Sequence, residues 1–199
     1  MRARPAPPAR EPRLASGSPA LATLLQATWI LFELVLAAGV LRLLVFDLAP
    51  WLVGEFGVAA ALLLAPGFAV AGVLLWTPLS VAIAVLAKRV LIGRYRPLRA
   101  PAWKSFHLRH WIVTRMARRI PWESLRGTAL FAVVLRALGA KIGRRVHVHR
   151  GVDLASGGWD LLELGDDATL AQDATLQLVD FDDGGLTVGS VRVGAGATL

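Results

Sequence analysis

Two kinds of hydrophobic pattern divide this chain. From Leu21 to Phe46 apolar residues run for about 26 positions, enough for a helix to cross ~30 Å of hydrocarbon. A second apolar run extends from Val58 to Ala87, interrupted by Pro66, Gly67 and Pro78 and closed by Lys88 and Arg89. Between them, Asp47 to Gly57 (DLAPWLVGEFG) holds two acids, no bases and Trp51, and reads as a short turn. The pattern therefore predicts a hairpin of two transmembrane helices within residues 21–92. Glu33, near the middle of the first, is costly in hydrocarbon and is expected to face another helix or to be protonated. Arg42 is close enough to the end to snorkel.

After residue 140 the period changes to six. Ile142 and Val148, then Leu164, Leu170 and Leu176, then Val193 and Leu199 share one register. The following position is small at Gly143, Gly165, Ala171 and Gly194, and the fifth is small or β-branched at Val146, Ala168, Ala174 and Ala197. Such hexads are the sequence form of a left-handed parallel β-helix, each making one flat side of a triangular coil. Leu199 opens another hexad, so the coil over residues 141–199 is expected to be incomplete. Between the two patterns, residues 93–140 read as juxtamembrane helices. Trp103, Phe106, His110, Trp111, Val113 and Met116 form an apolar side, with Lys104, Arg109, Arg115, Arg118 and Arg119 reaching for lipid phosphates. A further helical pattern (Leu125, Ala129, Val133, Val134, Leu138) ends at Gly139 and is placed to cap the first coil. The expected fold class is α + β: a transmembrane hairpin and juxtamembrane helices followed by a truncated left-handed parallel β-helix of hexapeptide repeats.

Composition changes this picture in two respects. The mean hydropathy of +0.56 and an apolar fraction of 55% support membrane segments. The net charge of +8 hides a division, because 21 of the 22 Lys and Arg precede residue 151 and nine of the 14 Asp and Glu follow it. Basic residues flank the apolar runs (Arg2, Arg4, Arg10 and Arg13 before; Lys88, Arg89, Arg94, Arg96, Arg99 and Lys104 after). By the positive-inside rule both ends face the cytoplasm, giving a multi-pass protein of the cytoplasmic membrane. Residues 1–20, rich in Pro, Ala and Arg, read as a disordered basic tail. There are no cysteines, which excludes disulfides and thiolate chemistry. No nucleic-acid module is visible, and an aromatic-basic mix beside a span favours lipid over single strands. Arg94, Arg96, Trp103, Lys104, Arg109 and Trp111 are the expected membrane-interface residues.

The order of elements, through LIGRYRPLRAPAW and FHLRHWIV to LRALGAKIGRRVHV and GSVRVGAGATL, resembles the membrane-embedded C-terminal region of ε-poly-lysine-synthetase-type nonribosomal peptide synthetases, over about residues 58–199. The resemblance implies hexapeptide acyltransferase-like domains that join carrier-bound aminoacyl thioesters to a free amino-acid acceptor. It implies no covalently bound cofactor and an acyl donor on carrier phosphopantetheine. Adenylation and carrier domains would act as partners in cis or in trans. A homo-oligomer through the β-helix is a further expectation. A coenzyme-A-dependent hexapeptide acetyltransferase and a catalytically inactive scaffold copy are the alternatives. The family pattern has a histidine soon after the LQ that ends the second hexad group, followed by Leu-Phe-Glu-Asp. Here LQLVDFDDGG matches at Gln177, Phe181 and Asp183, Asp182 replaces the Glu, and Val179 stands at the histidine position.

Acyl transfer from a thioester to an amine needs a base near the acceptor and donors for the oxyanion. His147 and His149 are the candidate catalytic residues within the coil. Two residues apart on a strand, they point the same way, opposite to Val146 and Val148 and therefore outward. Asp180, Asp182 and Asp183 are candidates for holding a lysine-like amino acceptor by charge. No histidine is arranged with them, so no metal site is expected.

Overall fold

The computed structural model describes residues 17–149, 151–172, 174–182 and 185–199. Helix α1 (Pro19–Arg42) starts where Ser18 caps it, the Ser18 Oγ accepting from the Leu21 N–H at 3.5 Å, with Pro19 at a first-turn position where a missing N–H costs nothing. A six-residue π-helical segment, Leu43–Leu48, joins it to α2 (Ala49–Leu91). The apolar part is therefore one helical stretch, Pro19–Leu91, of 73 residues, kinked at Gly57 and long and apolar enough to cross a membrane. It is not the expected hairpin. The stretch read as a turn is helical because its proline, Pro50, sits in the first turn of α2, where proline is tolerated. Two acids in eleven residues do not break a helix either. The chain departs from helical dihedrals at Gly57 (φ 79°, ψ 161°), a conformation open to glycine.

Most of the long helix is uncovered, with Leu31, Leu36, Phe46, Leu63, Leu74 and Leu75 exposed. Ala22, Ser80, Ala84 and Lys88 are buried, and so is Glu33. Its carboxylate accepts from Trp29 Nε1 at 2.6 Å and Arg115 Nε at 2.8 Å, and Arg119 Nη2 lies 2.7 Å away. The carboxylate thus finds its partners on α3 (Ser105–Ala117) and just beyond it. Glu33→Leu is expected to lower stability by about 1–3 kcal/mol through the loss of charged hydrogen bonds, read as the thermal unfolding midpoint in detergent. An unchanged midpoint would show that this anchor contributes nothing.

Helix α3 does not lie on lipid through its whole apolar side. Val113, Met116 and Ala117 are buried, and α3 packs along α2. Beyond it, α4 (Trp122–Leu125) and α5 (Ala129–Ala137) pack on each other, and α5 meets the strand at Lys141–Ile142. The buried face of α5 is Phe131, Val134 and Leu135, continued by Leu138, whereas Ala129 and Val133 are exposed.

The remainder forms three small sheets. β2 (Lys141–Ile142), β4 (Leu162–Leu164) and β8 (Val191–Val193) are parallel, with Ile142, Leu164 and Val193 in one register. β3 (His147–Val148) and β5 (Thr169–Leu170) are parallel, Val148 opposite Leu170, and Thr169 bridges Thr198. The third sheet is antiparallel, in the order β1 (Leu98–Pro101), β7 (Gly185–Val188), β6 (Val179–Asp182). The expected left-handed parallel β-helix is therefore corrected. The hexad positions do pair, but only as strands of two or three residues. The segment after Leu176, which would have continued the coil, instead folds back on itself and pairs with the strand that follows the long helix. The core beneath these sheets joins Trp159, Leu162, Leu164, Leu170, Leu178 and Leu186 to Leu135 and Leu138 of the α5 region.

Candidate active site

The polar chemistry of the fold lies at the junction of the long helix, α3 and the turn before β4. Lys88, one turn from the end of α2, places Nζ 2.7 Å from both carboxylate oxygens of Asp160. The same carboxylate accepts the Tyr95 N–H at 2.9 Å. Gly139 (φ 108°) passes directly over this pair, and a Cβ there would meet Asp160 Oδ1 and approach Lys88 Nζ at 2.7 Å. Only glycine both adopts that dihedral without strain and leaves room for the ions.

Fixed by its backbone to Asp160, Tyr95 turns its hydroxyl to His110 Nδ1 at 3.0 Å. Its ring stands edge-on to Trp159, Phe106 and His110. His110 is itself stacked on Phe106, with centroids 6.4 Å apart and planes 12° apart. One turn earlier on α3, His107 is buried between Trp103 and Phe181 and its Nδ1 has no hydrogen-bond partner among the described residues. The two histidines line a cavity of 210 Å³ with Trp111, Thr114, Arg115, Arg118, Ser156, Val179 and Phe181.

Burial governs the protonation of this wall. It pushes the His110 imidazole down to about 4, with the nearby His107 and Arg118 acting in the same direction. Burial likewise lowers His107. The Tyr95 hydroxyl is raised well beyond its ordinary range by burial first and by the Asp160 charge second, so it stays protonated. Since His110 binds its proton less well folded than unfolded, the linkage has a definite sign. Native stability is full above pH 6.5 and falls as pH drops from 6.5 toward 4, by up to about 3 kcal/mol. Denaturant melts at pH 7 and pH 4.5 check this, and His110→Phe should flatten most of the difference.

The residues expected from sequence are distributed elsewhere. His147 and His149 are exposed on and beside β3, their rings 5.2 Å apart and nearly perpendicular. His147 borders an open groove between α5 and the first hexad. Asp180 is exposed and accepts from Gln177 Nε2 at 2.8 Å. Asp182 belongs to β6, and Asp183 lies outside the described residues. Arg94, Arg96, Lys104 and Arg109 are exposed, while Trp103 and Trp111 are half-buried, with the Arg115 guanidinium 5.5 Å over the Trp111 ring. Among the described residues no cluster of three metal-ligating side chains occurs. His107 was not singled out by sequence, and His110 was read only as part of a lipid-facing side. Their spacing of three within FHLRHW, which puts both on one helix face, was the available signal.

One comparison bears on this arrangement. The chain is similar to part of a Delta-poly-L-ornithine synthetase. That protein, from Acinetobacter baumannii, is 32% identical over 116 residues, which is 56% of this chain. The chain spans only 8% of that relative's length. No family model matches the chain, and no solved structure does.

Proposed function

We propose that this chain is an acyl-transfer region of a peptide synthetase, held at a membrane by its long apolar helix. It would join a carrier-bound aminoacyl thioester to a free amino-acid acceptor with formation of an amide bond. The observation that carries this reading is the similarity to a stretch of the ornithine-polymer synthetase. The resemblance to poly-lysine-type synthetases, carried by GRYRP and LRALGAKIG, points the same way.

The reaction site proposed is the His107–His110 cavity. His107, buried yet bordering the cavity, is placed to take a proton from an acceptor amine, and the cavity adds Ser156 and the Arg118 guanidinium. Val179, at the position where the resemblance expects a histidine, lines the same cavity, so His107 and His110 would supply the imidazoles from the facing helix. The polar portion would sit on the cytoplasmic side, next to Lys88, Arg89 and Arg94. Carrier and adenylation domains, in cis or in trans, would deliver the activated acyl group there.

The test is direct. The protein in lipid vesicles is given an ornithyl-pantetheine thioester and free ornithine, and amide product is followed by mass spectrometry. His107→Ala is expected to reduce turnover about 100-fold or more, and His147→Ala and His149→Ala to leave it within about twofold. Product only with acetyl-coenzyme A would transfer the assignment to the acetyltransferase class. No product from either donor, with the protein folded, would favour a scaffold role.

A further inference from the structure

Resting on that reading, the geometry points to unequal roles for the two histidines: His110 is a neutral hydrogen-bond donor to the developing oxyanion through Nε2–H, with Tyr95 fixing that tautomer, and His107 is the base. The assignment follows from what surrounds each ring nitrogen. The Tyr95 oxygen lies 3.0 Å from His110 Nδ1, and among the described residues this ring nitrogen is the partner the buried hydroxyl has. A buried hydroxyl that keeps its hydrogen has to place it on an acceptor, so the phenolic hydrogen goes to Nδ1, which accepts. A neutral imidazole that accepts at Nδ1 carries its proton on Nε2.

The rest of the ring is constrained to present that proton to the cavity. The Cε1 edge is backed by Gly157 (φ 94°), where a Cβ would come within 2.6 Å of Cε1 and 3.2 Å of Nδ1. Phe106 covers one face. Nε2 has no partner among the described residues and is not among the buried, sealed nitrogens, while His110 lines the cavity wall. The Asp160 carboxylate, behind Tyr95, is occupied by Lys88 and the Tyr95 N–H. His107 has no such hydroxyl on its ring. Among the described residues, the charged groups facing the pair from the packed elements are Arg115 and Arg118 on and after α3, with Lys88 and Asp160 behind Tyr95. The cations among them disfavour a second positive charge at His110.

The step balances as follows. The acceptor amine attacks the thioester carbonyl carbon, forming the C–N bond. The carbonyl π pair moves to oxygen, where the His110 Nε2–H holds it, and the amine proton passes to His107. Collapse reforms the carbonyl and breaks the C–S bond, and the leaving thiolate takes the proton from His107.

Two measurements on the full chain decide the matter. The first is nitrogen NMR of histidine-labelled protein in detergent, which reads the His110 tautomer without any turnover. The expected result is Nε2–H in the wild type and a mixed or shifted tautomer in Tyr95→Phe. A wild-type Nδ1–H tautomer would overturn the proposal. The second is transfer by His110→Gln, whose side-chain amide keeps a donor near the Nε2 position, against His110→Ala. Gln is expected to stay within about tenfold of wild type, and Ala to lose about 100- to 1000-fold. Gln as inactive as Ala, with both folded by near-UV circular dichroism, would make His110 a base and sink the assignment. An Nε2–H tautomer in a protein that transfers no acyl group would instead count against the acyl-transfer reading, so the two failures are separable.

Discussion

Asp160→Leu is expected to be among the most damaging single changes in this protein, lowering stability by about 3–5 kcal/mol. The substitution leaves Lys88, whose side chain is only 6% exposed, without a counter-charge. It also strips the Tyr95 N–H of its acceptor. Breaking a buried pair from one side costs the desolvation of the survivor, a larger quantity than the net worth of the pair. The double variant Lys88→Met with Asp160→Leu should therefore recover most of the loss. A residue of about 1 kcal/mol would remain from the orphaned amide. Urea titration in detergent micelles measures all three proteins, and a double variant no better than the single one would show that the ions act independently. Because Asp160 also holds Tyr95, the single variant should loosen His110 and reduce transfer even under conditions where the protein stays folded.

The second large effect concerns the hexad glycines, which look equivalent in sequence and are not. A Cβ on Gly165 would lie 2.5 Å from the Ala195 nitrogen and 2.8 Å from the Gly194 carbonyl carbon. The obstruction is backbone and cannot rotate away. Gly165→Ala is expected to push β8 from β4 and to cost about 2–3 kcal/mol, in the range of overpacked cores. Gly194 meets nothing within 4 Å, so Gly194→Ala should stay within about 0.5 kcal/mol of wild type. Thermal melts of the two variants side by side test the contrast. Equal midpoints would mean that the close approach of Ala195 to Gly165 carries no weight in stability.

That contrast also shows what the sequence could convey. Ile142, Leu164 and Val193, which share the six-residue period, lie opposite one another in a small parallel sheet, as Val148 does opposite Leu170, but the β-helix inferred from that period does not form. The period could not show that residues 179–188 leave the parallel strands for an antiparallel pair before β8 rejoins them. Val179, Phe181, Leu186 and Val188 alternate in a way that suits an antiparallel pair as well as a coil. The partner that decides between them, Leu98–Pro101, lies far away in the chain. The long apolar stretch was legible from composition, but its continuity was not, since a proline reads as a breaker unless its place in the first turn is known. The site was missed for a related reason. Periodicity identifies His110, Val113 and Met116 as one side of a helix, but it is silent on whether lipid or protein covers that side. His107 and His110 take their character from Tyr95, Ser156 and Phe181, none of which shares a local pattern with them.

The antiparallel sheet has a consequence for how the molecule comes into being. On a ribosome the long helix emerges first and can enter a bilayer while the rest is unmade, yet strand β1 must wait for Val188 before Leu98 has a partner. Lys88 likewise waits 72 residues for Asp160. Loop closure over such separations is slow compared with local helix formation. The histidine wall will therefore stand open, with its apolar backing wet, until synthesis has passed Val188. A nascent chain halted before Gly185 should accordingly be sensitive to protease at α3, and one released after Val188 should not.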